Sequence, residues 1–191
     1  MASELGVQTI QHTNGTDAMT IDSTGRVQVH KNYSDTSNYP SASTWSITGV
    51  PDWANKITLV THEISQGTAG DITLRFIVGG SEVSTAVYNN NETRLSDSST
   101  VTHYGNTESG TVATGLKVTG FNAVQNSINW MLSIYKVDTN RYVYSGPMGN
   151  DYYQYFNYLS GSIVTTNAIE GVKFTCANGV FDGGKARLFW E

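Results

Sequence analysis

A period of two in the apolar residues, repeated in separate segments, limits what this chain can fold into. Ile72, Leu74, Phe76 and Val78 alternate with Thr73, Arg75 and Ile77, and Ile128, Trp130, Leu132 and Ile134 alternate with Ser127, Asn129 and Ser133. Val172, Phe174 and Cys176 repeat the pattern, and so do Ala186, Leu188 and Trp190 after the turn signal Gly183-Gly184. Successive strand side chains point to opposite faces, so this alternation predicts strands with one buried face. β-Branched and aromatic residues supply the strand propensity. No window holds a 3.6-residue apolar stripe of helical length. Pro51-Asp52-Trp53-Ala54 suits at most a single turn, with Pro51 at its first position. The reading is all-β, with the final strand, Lys185 to Trp190, stitched into a sheet.

With 191 residues the chain is long enough to bury one substantial core without a second domain. Only 14% of residues are charged and the net charge is −5, so no basic patch is available to neutralise phosphates and a nucleic-acid partner is not expected. Lys and Arg are scattered singly, which gives no polybasic face for a membrane surface. No apolar run approaches a membrane span, and the first residues lack the basic and apolar regions of a signal peptide. The expected route out of a cell is assembly and lysis.

Two parts differ in composition. Residues 1–32 form a polar arm with few large side chains, and residues 33–191 carry nearly all the aromatic groups. In the arm, Asn14-Gly15 and Ser23-Thr24-Gly25 are turn signals flanking a short strand centred on Met19 and Ile21. An arm this poor in apolar residues cannot offset its own ordering entropy, so it is expected to order against a partner.

Chemistry-bearing constellations are sparse. The lone Cys176 allows no intrachain disulfide, and its place on an apolar strand face reads as a small core residue. His12, His30, His62 and His103 form no metal-binding pair, and no metal or cofactor is expected. No GxSxG surrounds a serine, and Leu159-Ser160-Gly161-Ser162 reads as a turn or bulge. Glu63, Asp71, Glu108 and Asp151 are isolated in sequence, and only a groove that brought two together would make a glycosidase pair. No enzyme activity is expected. The unusual cluster is Tyr152-Tyr153-Gln154-Tyr155-Phe156-Asn157-Tyr158, preceded by Arg141-Tyr142-Val143-Tyr144. In a strand, Tyr153, Tyr155 and Asn157 face one way while Tyr152, Gln154, Phe156 and Tyr158 face the other. Tyr142, Tyr144, Tyr153 and Tyr155 therefore stand as candidate contact residues, for a glycan or for a second subunit, with sheet packing as the plain alternative. The runs Tyr88-Asn89-Asn90-Asn91-Glu92-Thr93 and Ser96-Asp97-Ser98-Ser99 read as exposed loops.

Three segments resemble known proteins. The leader Ile10-Gln11-His12-Thr13-Asn14-Gly15-Thr16, continuing through Ala18-Met19-Thr20-Ile21-Asp22 to Gly25-Arg26-Val27, resembles that of small structural proteins of tailed bacteriophages of marine and cyanobacterial type. Thr44-Trp45-Ser46-Ile47-Thr48-Gly49-Val50-Pro51 with Trp53 and Lys56-Ile57-Thr58 resembles the opening strand-turn-strand of the same proteins. Val172-Lys173-Phe174-Thr175, then Asn178-Gly179-Val180-Phe181-Asp182-Gly183-Gly184, resembles their closing strands. Residues 83–125 and 137–165 depart from the pattern. The resemblance implies a virion structural protein with a jelly-roll-like β-sandwich body at 33–191. Its arm at 1–32 would dock to other virion proteins, and three copies would form a homotrimer. A fibre or knob on tail or head, engaged in host adsorption through surface polysaccharide, is the first expectation. Capsid decoration is the second, and a virion-borne glycan hydrolase the third.

Overall fold

The computed structural model describes residues 9–11, 17–21, 27–29, 33–84, 88–95, 101–105, 115–118, 127–150 and 155–191. Contacts divide the chain into two units, Met1–Asn32 and Tyr33–Glu191. In the first unit β1 (Thr9–Gln11), β2 (Asp17–Ile21) and β3 (Val27–Val29) pair antiparallel in that order. β2 is the strand expected around Met19 and Ile21. Its partners are only three residues long, too short to show a period of two. The turn signals beside it lie outside the described residues.

The second unit is a β-sandwich. Its strands in chain order are β4 (Ser37–Asn38), β5 (Thr44–Thr48), β6 (Lys56–Gln66), β7 (Ile72–Val78), β8 (Ser81–Glu82), β9 (Tyr88–Leu95) and β10 (Val101–Gly105). After these come β11 (Leu116–Val118), β12 (Ile128–Asp138), β13 (Arg141–Asn150), β14 (Tyr155–Val164), β15 (Ile169–Cys176) and β16 (Phe181–Trp190). The large sheet runs β10-β9-β14-β13-β12-β6-β16-β4 and the smaller one β11-β7-β15-β5, with β8 beside β7. The strand pairings among the described residues are antiparallel, which suits sheets with one face dry and one wet. The chain changes sheet eight times among the described strands, between β4 and β5, β5 and β6, β6 and β7, β8 and β9, β10 and β11, β11 and β12, β14 and β15, and β15 and β16, so both layers close around one core.

The interior is what the alternation requires. Ile72, Leu74, Phe76 and Val78 face Ile128, Trp130, Leu132 and Ile134 across a core that also holds Val172, Phe174, Cys176, Ala186 and Leu188. Two aromatic groups bridge the sheets. Trp45 lies 5.5 Å from Phe174 and 5.7 Å from Phe181, and its indole N–H donates to Ser37 Oγ at 2.7 Å. Phe76 lies 5.6 Å from both Tyr88 and Tyr144. β16 is held on both sides, by β6 and by β4, with a further bridge from Tyr33 to Phe189. Trp190 is only partly buried, packing against the core from its margin.

Several loop readings are replaced by strands. The Asn-rich run belongs to β9, which pairs with β14 on one side and β10 on the other. Asn has a poor strand propensity, but ladders on both sides and the buried anchor Tyr88 outweigh it. Leu159-Ser160-Gly161-Ser162 is the middle of β14 and not a turn. Its glycine is needed because Tyr144 lies across it: a Cβ at Gly161 would stand 2.6 Å from the Tyr144 Oη and 2.1 Å from the Asn89 carbonyl oxygen. Pro51–Ala54 is the expected single turn, closed by the Ala54 N–H to the Pro51 carbonyl at 3.1 Å. Trp53 is exposed there. Ser96–Ser99 lies outside the described residues.

Candidate functional site

Tyr142 and Tyr144 are each 2% exposed and belong to the core, so neither offers a contact surface. On β13 their parity matches that of Gly146 and Met148, which face inward, while Val143 faces out. Their hydroxyls find partners inside. The Tyr142 oxygen accepts the Ile169 N–H at 3.3 Å, and the Tyr144 hydroxyl donates to the Asn89 carbonyl at 3.2 Å. Tyr88, which the sequence placed in a loop, accepts the Phe76 N–H at 2.8 Å. Among the other two candidates, Tyr155 pairs its backbone with Asn150, and Tyr153 lies outside the described residues. Over the described side chains of the cluster, Asn157 is buried while Phe156 and Tyr158 are exposed, which is the parity expected for them; Tyr152 and Gln154 lie outside the described residues.

The buried phenols have a consequence in alkali. Burial pushes Tyr88 up to about 12, partly countered by the N–H donated from Phe76, and burial raises Tyr142 and Tyr144 as well. An unfolded tyrosine ionises near 10, so between these values the folded chain holds a proton that the unfolded chain has lost. The stabilisation is complete below about pH 10 and is lost as pH rises towards about 12. The denaturant midpoint is therefore expected to fall steeply across that window, and Tyr88→Phe should flatten the fall. The same variant should cost about 1–3 kcal/mol at neutral pH by orphaning the Phe76 N–H. An alkaline limb of unchanged slope in Tyr88→Phe would contradict the buried phenol.

The outer faces of the two sheets differ in chemistry. On the smaller sheet Thr73, Arg75, Lys173, Thr175, Ser46 and Thr48 point outward, with Glu82 bonded to Arg75 and Lys173 at 3.2 Å each. Those charges hold the Glu82 carboxyl below its ordinary range, against the burial that would raise it. The large sheet instead presents rows that are uncharged across β14, β13 and β12, with Lys56 and Arg187 at the β6 and β16 end. One row runs Thr93, Tyr158 and Pro147. The register is the same on both sides of the proline, pairing Trp130 with Met148 and Ser133 with Ser145, so Met131 stands opposite Pro147. Val60 and Arg187 complete the row. The next row is Ser160, Ser145, Ser133 and Thr58, and the third is Ser162, Val143, Tyr135 and Lys56. Tyr158 is 43% exposed, Met131 50% and Tyr135 44%.

Three levels of relief result. Rows on one face of a strand lie two residues, or about 7 Å, apart. The small hydroxyl residues therefore form the floor of a shallow trough walled by Tyr158, Pro147, Met131 and Val60 on one side and by Val143 and Tyr135 on the other. Lys56 closes one end, 6.0 Å from the Tyr135 ring centroid and bonded to Glu191 at 2.8 Å. Further along the same face β6 bulges at Glu63, a non-glycine residue with φ 51°, whose N–H is capped by Asn129 Oδ1 at 3.0 Å. Within its own strand Ser133 is one residue of the polar side of β12; that it aligns with hydroxyls on three other strands depends on register.

The remaining chemistry is quiet. Cys176 is buried, and burial together with the nearby Asp182 charge pushes its thiol up to about 11, which leaves it inert near neutrality. Among the described residues no three His, Cys, Asp or Glu side chains group as metal ligands. Glu63 and His62 are exposed and 3.7 Å apart, while Glu108, Asp151, His12 and His30 lie outside the described residues.

No protein-family model and no characterised protein sequence matches this chain. Among solved structures, one match is a toad ovary galectin in complex with thio-digalactose, at 7% identity and a TM-score of 0.29, covering 77% of this chain and 99% of that one. Overlap that loose carries no conclusion about the site.

Proposed function

We propose that this chain is a virion structural protein of a tailed bacteriophage, a surface appendage on tail or head whose arm docks it to the particle and whose body faces solvent in host adsorption. The observation that carries this reading is the placement of the three resembling segments. The leader spans β1 to β3, the second segment spans β5, its turn and the start of β6, and the third spans β15 and the start of β16. The separation of Met1–Asn32 from Tyr33–Glu191 supports an arm distinct from a body. The uncharged middle of the large sheet's outer face, over β14, β13 and β12, supports a body that makes contacts. Closed symmetric assembly is the common way for such a body to bury surface, and the resemblance to phage appendages favours three copies, a homotrimer. Capsid decoration is the second reading, and it shares the arm and the sandwich.

Incorporation into particles tests the reading. The full-length chain is expected in purified particles at three chain masses by light scattering of the free protein, and residues 33–191 alone should fold yet fail to join. Full occupancy by the truncated body would overturn the docking role of the arm.

A further inference from the structure

We infer that the trough on the outer face of the large sheet is a binding site for an extended, neutral polysaccharide lying across the strands. This rests on the reading of the body as solvent-facing, and it names the ligand class and the place.

The floor decides the chemistry. Ser160, Ser145, Ser133 and Thr58 align in register across four strands, each only partly exposed. A protein partner pressing apolar side chains into this row would have to leave hydroxyls without hydrogen bonds, at about 1–3 kcal/mol for each group left dry. A sugar chain brings its own hydroxyls to such a floor at every unit. Its apolar C–H faces match the rings of Tyr158 and Tyr135, amphipathic surfaces that combine a flat ring with a polar tip.

Area argues the same way. The face of β14, β13, β12 and β6 measures about 15 Å across by about 30 Å along the strands. The trough is one row of side chains wide, a narrow strip of that face, which suits a slender chain better than a broad protein surface. Charge selects among polysaccharides. Across β14, β13 and β12 the floor and both walls carry no ionic side chain; the two cations at the far end are engaged, Lys56 with Glu191 and Arg187 with Thr36 Oγ1 and the Tyr33 ring. A polyanion would be desolvated there without compensation, so the neutral class fits.

The test uses the full-length protein against immobilised, lipid-free neutral O-antigen polysaccharides, with an acidic capsular polysaccharide for comparison. At least one neutral polymer is expected to bind in preference to the acidic one. Ser145→Leu, which fills the floor, and Tyr158→Ala, which removes a wall, should each weaken binding at least tenfold while the melting temperature stays within a few degrees. Three results would overturn the inference: no neutral polymer bound at millimolar repeat units, binding untouched by both variants, or a changed assembly mass in either variant, which would make the face a subunit contact. If the protein is found in particles and binding fails, the inference falls and the virion reading stands. Binding by a protein absent from particles would reverse that outcome.

Discussion

A chain cut after Lys185 is expected to be insoluble or unfolded. The cut removes Ala186 and Leu188 from the core and Trp190 from its margin, and it strips β6 of a partner that also carries β4. It further removes the Glu191 carbonyl, which accepts the Asn55 and Lys56 N–H groups at 2.7 and 3.1 Å, and the Glu191 N–H to Lys56 at 2.9 Å. A buried side chain of leucine size contributes about 1.5–3 kcal/mol, and each backbone hydrogen bond about 0.5–1.5 kcal/mol. Their sum rivals the ~5–15 kcal/mol that separates a folded domain from its unfolded chain. A cooperative melt close to that of the intact protein would contradict the placement of β16.

Gly161→Ala should be strongly destabilising, while Gly149→Ala on the neighbouring strand should not. The added carbon would meet the Asn89 carbonyl oxygen at 2.1 Å and the Tyr144 Oη at 2.6 Å. The first is backbone of the neighbouring strand, and the second belongs to a ring fixed between Phe76 and the sheet. Overpacking of this kind costs about 1–3 kcal/mol. At roughly 2–4 °C per kcal/mol for a domain of this size, the melting temperature should fall by several degrees. Gly149→Ala, where nothing lies within 4 Å, serves as the control and should be close to neutral. Equal midpoints for the two variants would contradict the close packing of Tyr144 on β14.

What the sequence showed and what it hid divide along the range of the interactions. The period of two identified β7, β12, β15 and β16 with their buried faces, because alternation is written in consecutive residues. β9 was hidden, since Asn89, Asn90 and Asn91 carry loop propensity and only pairing with β14 and β10 makes them strand. Tyr142 and Tyr144 were open between core and surface because parity within a strand does not say which side is dry. The answer came from Phe76, Asn89 and Ile169, far from them in sequence. The trough was the least legible feature. Thr58, Ser133, Ser145 and Ser160 look like scattered polar residues until four strands are set in register.

Copy number in purified phage particles tests the central claim most directly, by quantitative mass spectrometry against a major capsid standard. The account predicts that the full-length protein is present, at tens of copies per particle for a fibre or knob. Hundreds of copies would move it to capsid decoration, and its absence from particles would contradict a virion role altogether.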